Sequence, residues 1–356
     1  MSQLRSVGYP ILFILLISFI MCSSGTKSSH FISEYYIDGT KKERENLTEL
    51  FKLLEKQKES NAERFALVRE IANVYNRQND YGHLINFLSY WIENNSLDPY
   101  NTYYLFMIAY SYIKQETYSV AVLYFNLIVK NYSDLIVNNE SIHLLCLKQL
   151  IEYEENAGQK IWYYEELISR FRERIDLGVS YFLLAKCYEQ IGDWNKAIAA
   201  YSDFLPYYGS VIPGFPDAYS YAKQMVDFYH SSKDWTFNSL STLVDRIERA
   251  IDNGNTWQLW QYRAKINFFA RSWAQADSDD SGMADLNLSS FGSANKIHYS
   301  ESLGNDSNAN EAYLRTWGWS HFTPIWYFYF RKVYFPLDPE IHGRWEWAGV
   351  YYGEEF

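Results

Sequence analysis

Cysteine is scarce in this chain, which has three in 356 residues. Apart from Cys22, these are Cys146 and Cys187, and each falls at apolar-face spacing within a predicted helix. A free buried cysteine behaves as a small hydrophobic residue. We therefore expect two unpaired thiols in the core, with a disulfide between them as the alternative in an oxidising compartment.

Positive charge is in deficit. The 32 Lys and Arg residues are outnumbered by 43 Asp and Glu residues, which gives a net charge of −11. An acidic surface repels phosphate backbones and anionic lipid headgroups, so we expect no nucleic-acid partner. Apolar residues make up 48% of the chain, which is enough for a sizeable core.

The motifs of common catalytic sites are missing. The sequence has no glycine-rich phosphate loop, no His-Glu-x-x-His, no Gly-x-Ser-x-Gly and no Cys-x-x-Cys, and its seven histidines are scattered. Residues 277–282 begin like an EF-hand calcium loop, but Leu288 stands where the bidentate Glu belongs, so a polar helix is favoured there. The sequence thus predicts a protein that is not an enzyme and has no cofactor and no metal.

Hydrophobic runs of membrane-spanning length are missing from the N-terminal region. The apolar run from Ile11 to Met21 has 11 residues, too few to cross a bilayer. Arg5 before it is typical of an export signal, so residues 1–21 are predicted to be a signal peptide. An apolar run that ends in Cys and small polar residues resembles a bacterial lipoprotein signal of the relaxed, spirochaete type. That resemblance implies lipidation of Cys22 and a membrane anchor in the cell envelope, periplasmic or at the surface. A secretory signal cut nearby and an uncleaved anchor are the alternatives.

The stretch from Gly178 to Tyr208 has the pattern of two amphipathic helices joined by a tight turn. The small Ala185 and Ala197 allow two helix axes to approach closely, and Asp193 can cap the second helix. The other apolar positions recur at helical spacing on either side of the turn. They are Tyr181, Leu184, Tyr188, Trp194, Tyr201 and Phe204.

Turns of the same kind recur along the chain, with aromatic residues at positions 81, 118, 194, 235 and 273. The spacings are 37, 76, 41 and 38 residues, so the long interval holds two repeats, with the hidden turn predicted at 158–160. An aliphatic residue before Ala, a following Tyr, an Asp-aromatic turn and a second Ala resemble the tetratricopeptide repeat (TPR), whose period is about 34 residues. The resemblance implies an all-α fold, an α-solenoid of about six TPR-like helical hairpins over residues 61–290.

The segments outside the array differ from it in composition. Residues 22–60 are predicted to be a polar tether and an N-terminal capping helix. Residues 291–356 are predicted to be a linker and an irregular, aromatic-rich C-terminal cap, because no long helical period survives there. A cap would cover the apolar face of the last hairpin. As the alternative, exposed Trp and Tyr rings would form a platform for sugar rings.

In TPR arrays the first helix of each hairpin lines a concave groove, and the resemblance implies this role for matching positions here. Arg69 and Asn73 stand one turn apart, away from the core side of their helix, and resemble half of a carboxylate clamp. Phe106 and Tyr110 occupy the equivalent places in the next hairpin, which favours an apolar and aromatic groove over a polar clamp. The predicted groove residues are Arg69, Asn73, Phe106, Tyr110, Lys114 and Lys186.

Together these features predict a non-catalytic scaffold or adaptor of the cell envelope that holds a protein or peptide partner in its groove. The alternative is a carbohydrate- or peptidoglycan-binding lipoprotein that uses the aromatic C-terminal segment. Exposed aromatic rings beside carboxylates or amides in that segment would favour the alternative.

Overall fold

The computed structural model describes residues 34–273, 296–319 and 325–353. The predicted signal segment, Cys22 and the EF-hand-like segment 277–282 lie outside these ranges. The chain divides into two compact units, Met1–Glu116 and Thr117–Phe356. Within the described ranges, none of the helices combines the length and apolar character needed to cross a membrane.

The first unit consists of four helices that follow a short 3-10 turn at Glu34–Tyr36. Each helix packs on the next in the chain, and the second also packs on the fourth. Phe51, Tyr75 and Phe87 are fully buried between them. The helices are α1 (Lys41–Lys56), α2 (Ala62–Arg77), α3 (Tyr81–Asn94) and α4 (Asn101–Lys114).

Polar side chains fix where three of these helices begin. Thr40, Asn61 and Asp80 precede α1, α2 and α3, and each accepts a hydrogen bond from a backbone N–H in the first turn. Such a cap satisfies one of the four N–H groups that a helix start leaves unpaired. The connections between the helices are short, so chain neighbours pack against each other.

The second unit begins with six helices, each of which packs on the next. A two-stranded hairpin, β1 (Ile136–Val137) and β2 (Glu140–Ser141), lies between the first and second of them. The helices are α5 (Tyr118–Asn131), α6 (Ile142–Tyr153), α7 (Ala157–Phe171), α8 (Leu177–Gln190), α9 (Trp194–Phe204) and α10 (Ala218–His230). The two thiols predicted to be unpaired, Cys146 and Cys187, are buried and free as expected.

Three of the predicted turns are confirmed as helix starts. Tyr81, Tyr118 and Trp194 are the first residues of α3, α5 and α9. The hidden turn is also present, but slightly earlier than predicted: α6 ends at Tyr153 and α7 begins at Ala157, so residues 158–160 lie inside the first turn of α7. Four of the six predicted turns are therefore followed by the predicted second helix.

The C-terminal part of the second unit is a five-stranded sheet with two helices against it. The helices are α11 (Leu240–Asp252) and α12 (Thr256–Gln261), and the strands are β3 (Phe269–Ser272), β4 (His298–Tyr299), β5 (Glu311–Trp317), β6 (Ile325–Lys332) and β7 (Trp345–Tyr352). The strand order is β3-β7-β6-β5-β4, with β3 parallel to β7 and the other pairs antiparallel. Leu243 and Ile247 of α11 share a core with Phe328 and Trp347 of the sheet.

The predicted all-α fold class and the irregular C-terminal cap are therefore wrong. β5 carries the alternation of a half-buried strand, with Ala312, Leu314 and Thr316 buried and the residues between them partly exposed. β6 and β7 are apolar on both faces, and a short run of that kind shows no period that separates strand from helix.

The last two predicted hairpins are also corrected. Trp235 lies between α10 and α11, but the two helices belong to different cores, and the buried indole N–H of Trp235 donates to Glu346 Oε2 at 2.8 Å. Trp273 directly follows β3, and the second helix predicted after it lies outside the described residues. The first helix predicted around Ala264 is wrong, because α12 ends at Gln261 and the Ala264 N–H donates to the Trp347 carbonyl of β7.

Candidate functional site

On α2, the side chain of the predicted groove residue Arg69 lies against aromatic rings. The Arg69 guanidinium carbon lies 5.3 Å from the centre of the Phe65 ring, and that ring stacks on Tyr100 at 4.3 Å. Arg69 and Asn73 are both half-buried, and in the described ranges neither side chain forms an ion pair or a hydrogen bond. Arg69 thus presents an unneutralised charge.

The predicted groove residues of α4 form a strip along one side of that helix. Phe106 and Tyr110 stack with ring centres 6.4 Å apart, and Lys114 Nζ lies 5.1 Å from the Tyr110 ring centre. Tyr110 is 37% exposed. Residues four apart lie on the same side of a helix, so the Phe106 ring, the Tyr110 ring and the Lys114 ammonium form one row.

Five of the six predicted groove residues therefore lie on two helices that pack against each other, α2 and α4. We call their surface the α2–α4 face. The two helices meet near Tyr103, where burial raises the pKa of the phenol and the nearby Arg69 charge opposes that rise. α2 and α4 are the first helices of their predicted hairpins, and the groove role of these residues stays a prediction.

Lys186, the sixth predicted residue, belongs to the second unit and is already neutralised. Its ammonium pairs with Glu189 and lies 4.8 Å from the Tyr221 ring centre. Tyr221 also donates to Glu189 at 2.6 Å, and burial together with this carboxylate raises the pKa of Tyr221. Sequence spacing could not show this partner ring, because it lies on α10.

A cavity of about 570 Å³ opens between α6, α7 and α8 of the second unit. Tyr164 and Leu167 of α7 form its buried floor, and we call it the α6–α8 cavity. Its remaining lining comes from the first helices of two successive hairpins and the turn between them. Those residues are Lys148, Ile151, Glu173, Arg174, Ile175, Asp176, Val179, Ser180 and Leu183.

The rim of the α6–α8 cavity carries charges of both signs. Arg174 pairs with Glu140 at 3.0 Å, and Asp176 caps α8 by accepting from the Val179 N–H at 3.0 Å. Lys148 is exposed, and among the described residues no carboxylate pairs with it. An apolar floor with a mixed polar rim suits a side chain of a protein partner better than a small charged ligand.

This cavity was missed at the sequence level. Ile151, Val179 and Leu183 signal it in retrospect, because they are apolar residues on the groove side of first helices. The turn residues at 173–176 complete the lining only once the chain folds. In the described ranges, neither the α2–α4 face nor the α6–α8 cavity contains a cluster of metal ligands.

The face of the C-terminal sheet that points away from α11 and α12 is also aromatic. Trp273 stacks on Tyr351 with ring centres 4.4 Å apart, and beside them the Tyr313 and Tyr329 ring centres lie 5.3 Å from each other. Burial and the Glu311 carboxylate raise the pKa of Tyr329 to about 12. We call this surface the outer sheet face; its Trp273, Tyr313 and Tyr329 rings are partly exposed.

Comparison with known families identifies the centre of the helical part. Residues 179–208 match the model of the family described as tetratricopeptide repeat. The matched segment comprises nearly all of α8, the whole of α9 and the residues directly after it. A comparison with curated proteins found no match.

The TPR match bears directly on the α6–α8 cavity. Val179, Ser180 and Leu183, which form one wall of the cavity, lie at the beginning of the matched repeat. TPR hairpins commonly serve as scaffolds for contacts between proteins. One wall of the cavity therefore lies on the first helix of the matched repeat.

Proposed function

We propose that this protein is a non-catalytic scaffold that binds a protein partner through its TPR hairpins. The observation that carries the proposal is the α6–α8 cavity, which has an apolar floor and lies on the first helix of the matched repeat. Its volume of about 570 Å³ is large enough for one or two apolar side chains of a protein partner. Main-chain and polar contacts at the rim would orient the peptide.

The α2–α4 face is proposed as a second contact surface for protein. The Arg69 guanidinium offers two parallel donors to a carboxylate, and Phe106 and Tyr110 offer apolar area. An acidic or C-terminal carboxylate of a partner is the chemistry that this surface fits. No step of this proposal requires a cofactor.

The test is co-purification of partners from native membranes with the tagged full-length protein. Leu183→Gln removes apolar lining from the α6–α8 cavity, and Lys148→Glu reverses its exposed rim charge. We expect both to lose a partner that wild type retains, while Leu123→Gln on α5, at a side chain that is 68% exposed, retains it. Equal recovery by all variants would contradict cavity binding.

We also propose that the chain is exported and anchored in a bacterial cell envelope through a lipid on Cys22. Arg5, the apolar run and the position of Cys22 support this proposal. Cys22→Ala is expected to move the protein from the membrane fraction to the soluble fraction. Retention of the variant in the membrane fraction would contradict the proposed lipid anchor.

The second candidate function is carbohydrate or peptidoglycan binding at the outer sheet face. The stacked pair of Trp273 and Tyr351 beside Glu311 and Tyr329 favours it, because aromatic faces stack on sugar rings. Sedimentation with purified peptidoglycan tests it, with Trp273→Ala compared against Tyr334→Ala, whose ring is 64% exposed outside the strands. Loss of sedimentation in Trp273→Ala alone supports this function, and equal behaviour of the two variants rejects it.

A further inference from the structure

We propose that Asp38, Asp80 and His83 of the first unit form a site for a divalent transition metal, with Zn²⁺ as the representative ion. Each residue offers one ligand atom, an imidazole nitrogen or a carboxylate oxygen, and these atoms all lie within 4.8 Å of one another. Asp38 comes from the turn before α1, and the other two come from the start of α3. The site is separate from the α2–α4 face and goes beyond partner binding.

The geometry is close to what a metal requires. Imidazole nitrogen and carboxylate oxygen bind Zn²⁺ at about 2.0–2.2 Å in a tetrahedral arrangement, which places ligand atoms about 3.3–3.5 Å apart. His83 Nδ1 and Asp80 Oδ2 are 2.5 Å apart and form a hydrogen bond through one proton. A metal that replaces this proton needs these two atoms to separate by about 1 Å, a change that side-chain rotation supplies. Three protein ligands leave the fourth position for water.

The ligand side chains are held in place by their surroundings. The His83 ring lies between Tyr35, at 4.5 Å, and Tyr75, at 5.8 Å. Asp80 Oδ1 accepts from the His83 backbone N–H at 3.1 Å, and Asp38 Oδ1 accepts from the Gly39 N–H at 2.7 Å. One oxygen of each carboxylate is therefore fixed by backbone, which leaves its second oxygen for a ligand role.

The negative charge of the two carboxylates also favours a bound cation. In the described ranges, neither Asp38 nor Asp80 forms an ion pair with a lysine or arginine. The neighbouring Tyr75 O–H donates to the Tyr36 carbonyl and not to either carboxylate. A divalent ion would neutralise both carboxylates at once.

Metal binding has a structural consequence. Two side-chain hydrogen bonds hold the segment before α1 to the helices. The Tyr75 hydroxyl donates to the Tyr36 carbonyl at 2.6 Å, and Asn86 donates to the Tyr35 hydroxyl at 2.7 Å. A metal shared between Asp38 and α3 would add a link far stronger than either. The ion would then tie the described segment before α1 to the start of α3.

The experiment is a titration of the chelator-treated full-length protein with Zn²⁺, followed by calorimetry and thermal melting. Co²⁺ serves as the spectroscopic probe, because its visible absorption reports tetrahedral coordination. We expect one equivalent to bind and to raise the melting temperature, and we expect Asp38→Asn and His83→Gln each to weaken binding by about tenfold or more. His230→Gln, at an exposed histidine of the second unit, is the matched control and should bind as wild type does.

Asp38→Asn leaves the α3 cap intact, so loss of binding in this variant cannot be ascribed to unfolding of the helix. The measurements are repeated in the Cys22→Ala chain to remove a thiol that could bind metal. Zn²⁺ affinity that is unchanged in Asp38→Asn and His83→Gln would overturn the proposal. A stabilisation that follows pH without any response to metal would also overturn it, because it would show an imidazolium–carboxylate pair alone.

Discussion

At the scale of single residues, the first unit depends on a buried ion pair between its second helix and the connection that precedes its fourth helix. Arg64 and Asp98 are 8% and 7% exposed, and Arg64 NH2 lies 2.8 Å from Asp98 Oδ2. Asp98 also accepts from the Tyr100 N–H at 3.0 Å, just before α4 begins. The pair therefore fixes the start of the helix that carries Phe106 and Tyr110.

Asp98→Ala is expected to lower the free energy of unfolding by about 3–5 kcal/mol, because it leaves a buried guanidinium without its partner. The control is Glu70→Ala, which breaks the exposed pair with Arg77 at 2.9 Å. Such surface pairs contribute at most about 1 kcal/mol. Urea unfolding measures both variants, and a similar small loss in each would contradict a buried role for Asp98.

His143 makes the stability of the second unit depend on pH. It is buried, and its Nδ1 accepts from Arg170 at 2.7 Å. Burial lowers the pKa of His143; Asp134 and Glu166 oppose this effect and Arg170 reinforces it. The unfolded chain therefore takes up a proton near pH 6.5 that the folded chain takes up only at lower pH.

The free energy of unfolding should be fully retained above about pH 6.5 and should fall as the pH drops below it, by at most about 1.4 kcal/mol per pH unit. His143→Gln should flatten this dependence, and His230→Gln should preserve it because that side chain is exposed. Chemical unfolding at pH 7.5 and 5.5 compares the three proteins. Identical pH dependence in all of them would be inconsistent with the role of His143.

At the scale of elements, the helices were predictable and the sheet was not. Asp80 and Asp193 cap α3 and α9 in the structure, so the turn chemistry that predicted these two hairpins acts locally. The strands depend on partners far away in the chain: β3 pairs with β7 about 80 residues later. The local period of apolar residues does not show which distant strands pair. An aromatic strand that is buried on both sides also lacks the alternation of apolar and polar residues that marks a strand.

Gly349 shows how closely β3 approaches β7. A Cβ at this position would lie 2.6 Å from an atom of the Phe269 ring. Gly349→Ala should therefore destabilise the second unit by about 1–3 kcal/mol, as overpacking does. Gly209→Ala is the control, since a Cβ there meets nothing within 4 Å. Denaturant midpoints measure the effect. The double variant with Phe269→Ala should recover part of the stability lost in Gly349→Ala. No loss of stability in Gly349→Ala would contradict this packing.

At the scale of the whole molecule, the chain combines helical repeats with an aromatic sheet that the repeat pattern did not predict. Sequence spacing correctly put Arg69, Asn73, Phe106, Tyr110 and Lys114 on two packed helices. It missed the α6–α8 cavity, because Glu173 to Asp176 line it from a turn that has no repeat signature. Lys186 was predicted as a groove residue, and only the fold shows its pairing with Glu189.

The central claim is that a protein partner occupies the α6–α8 cavity, and site-specific photo-crosslinking tests it most directly. A photoreactive residue in place of Lys148 on the exposed rim should give a covalent partner adduct in intact cells. The same residue in place of Leu123, which is 68% exposed on α5, should give none. The account also predicts that Leu183→Gln abolishes the adduct at position 148. Equal adducts at both positions, or an adduct at 148 that persists in Leu183→Gln, would contradict it.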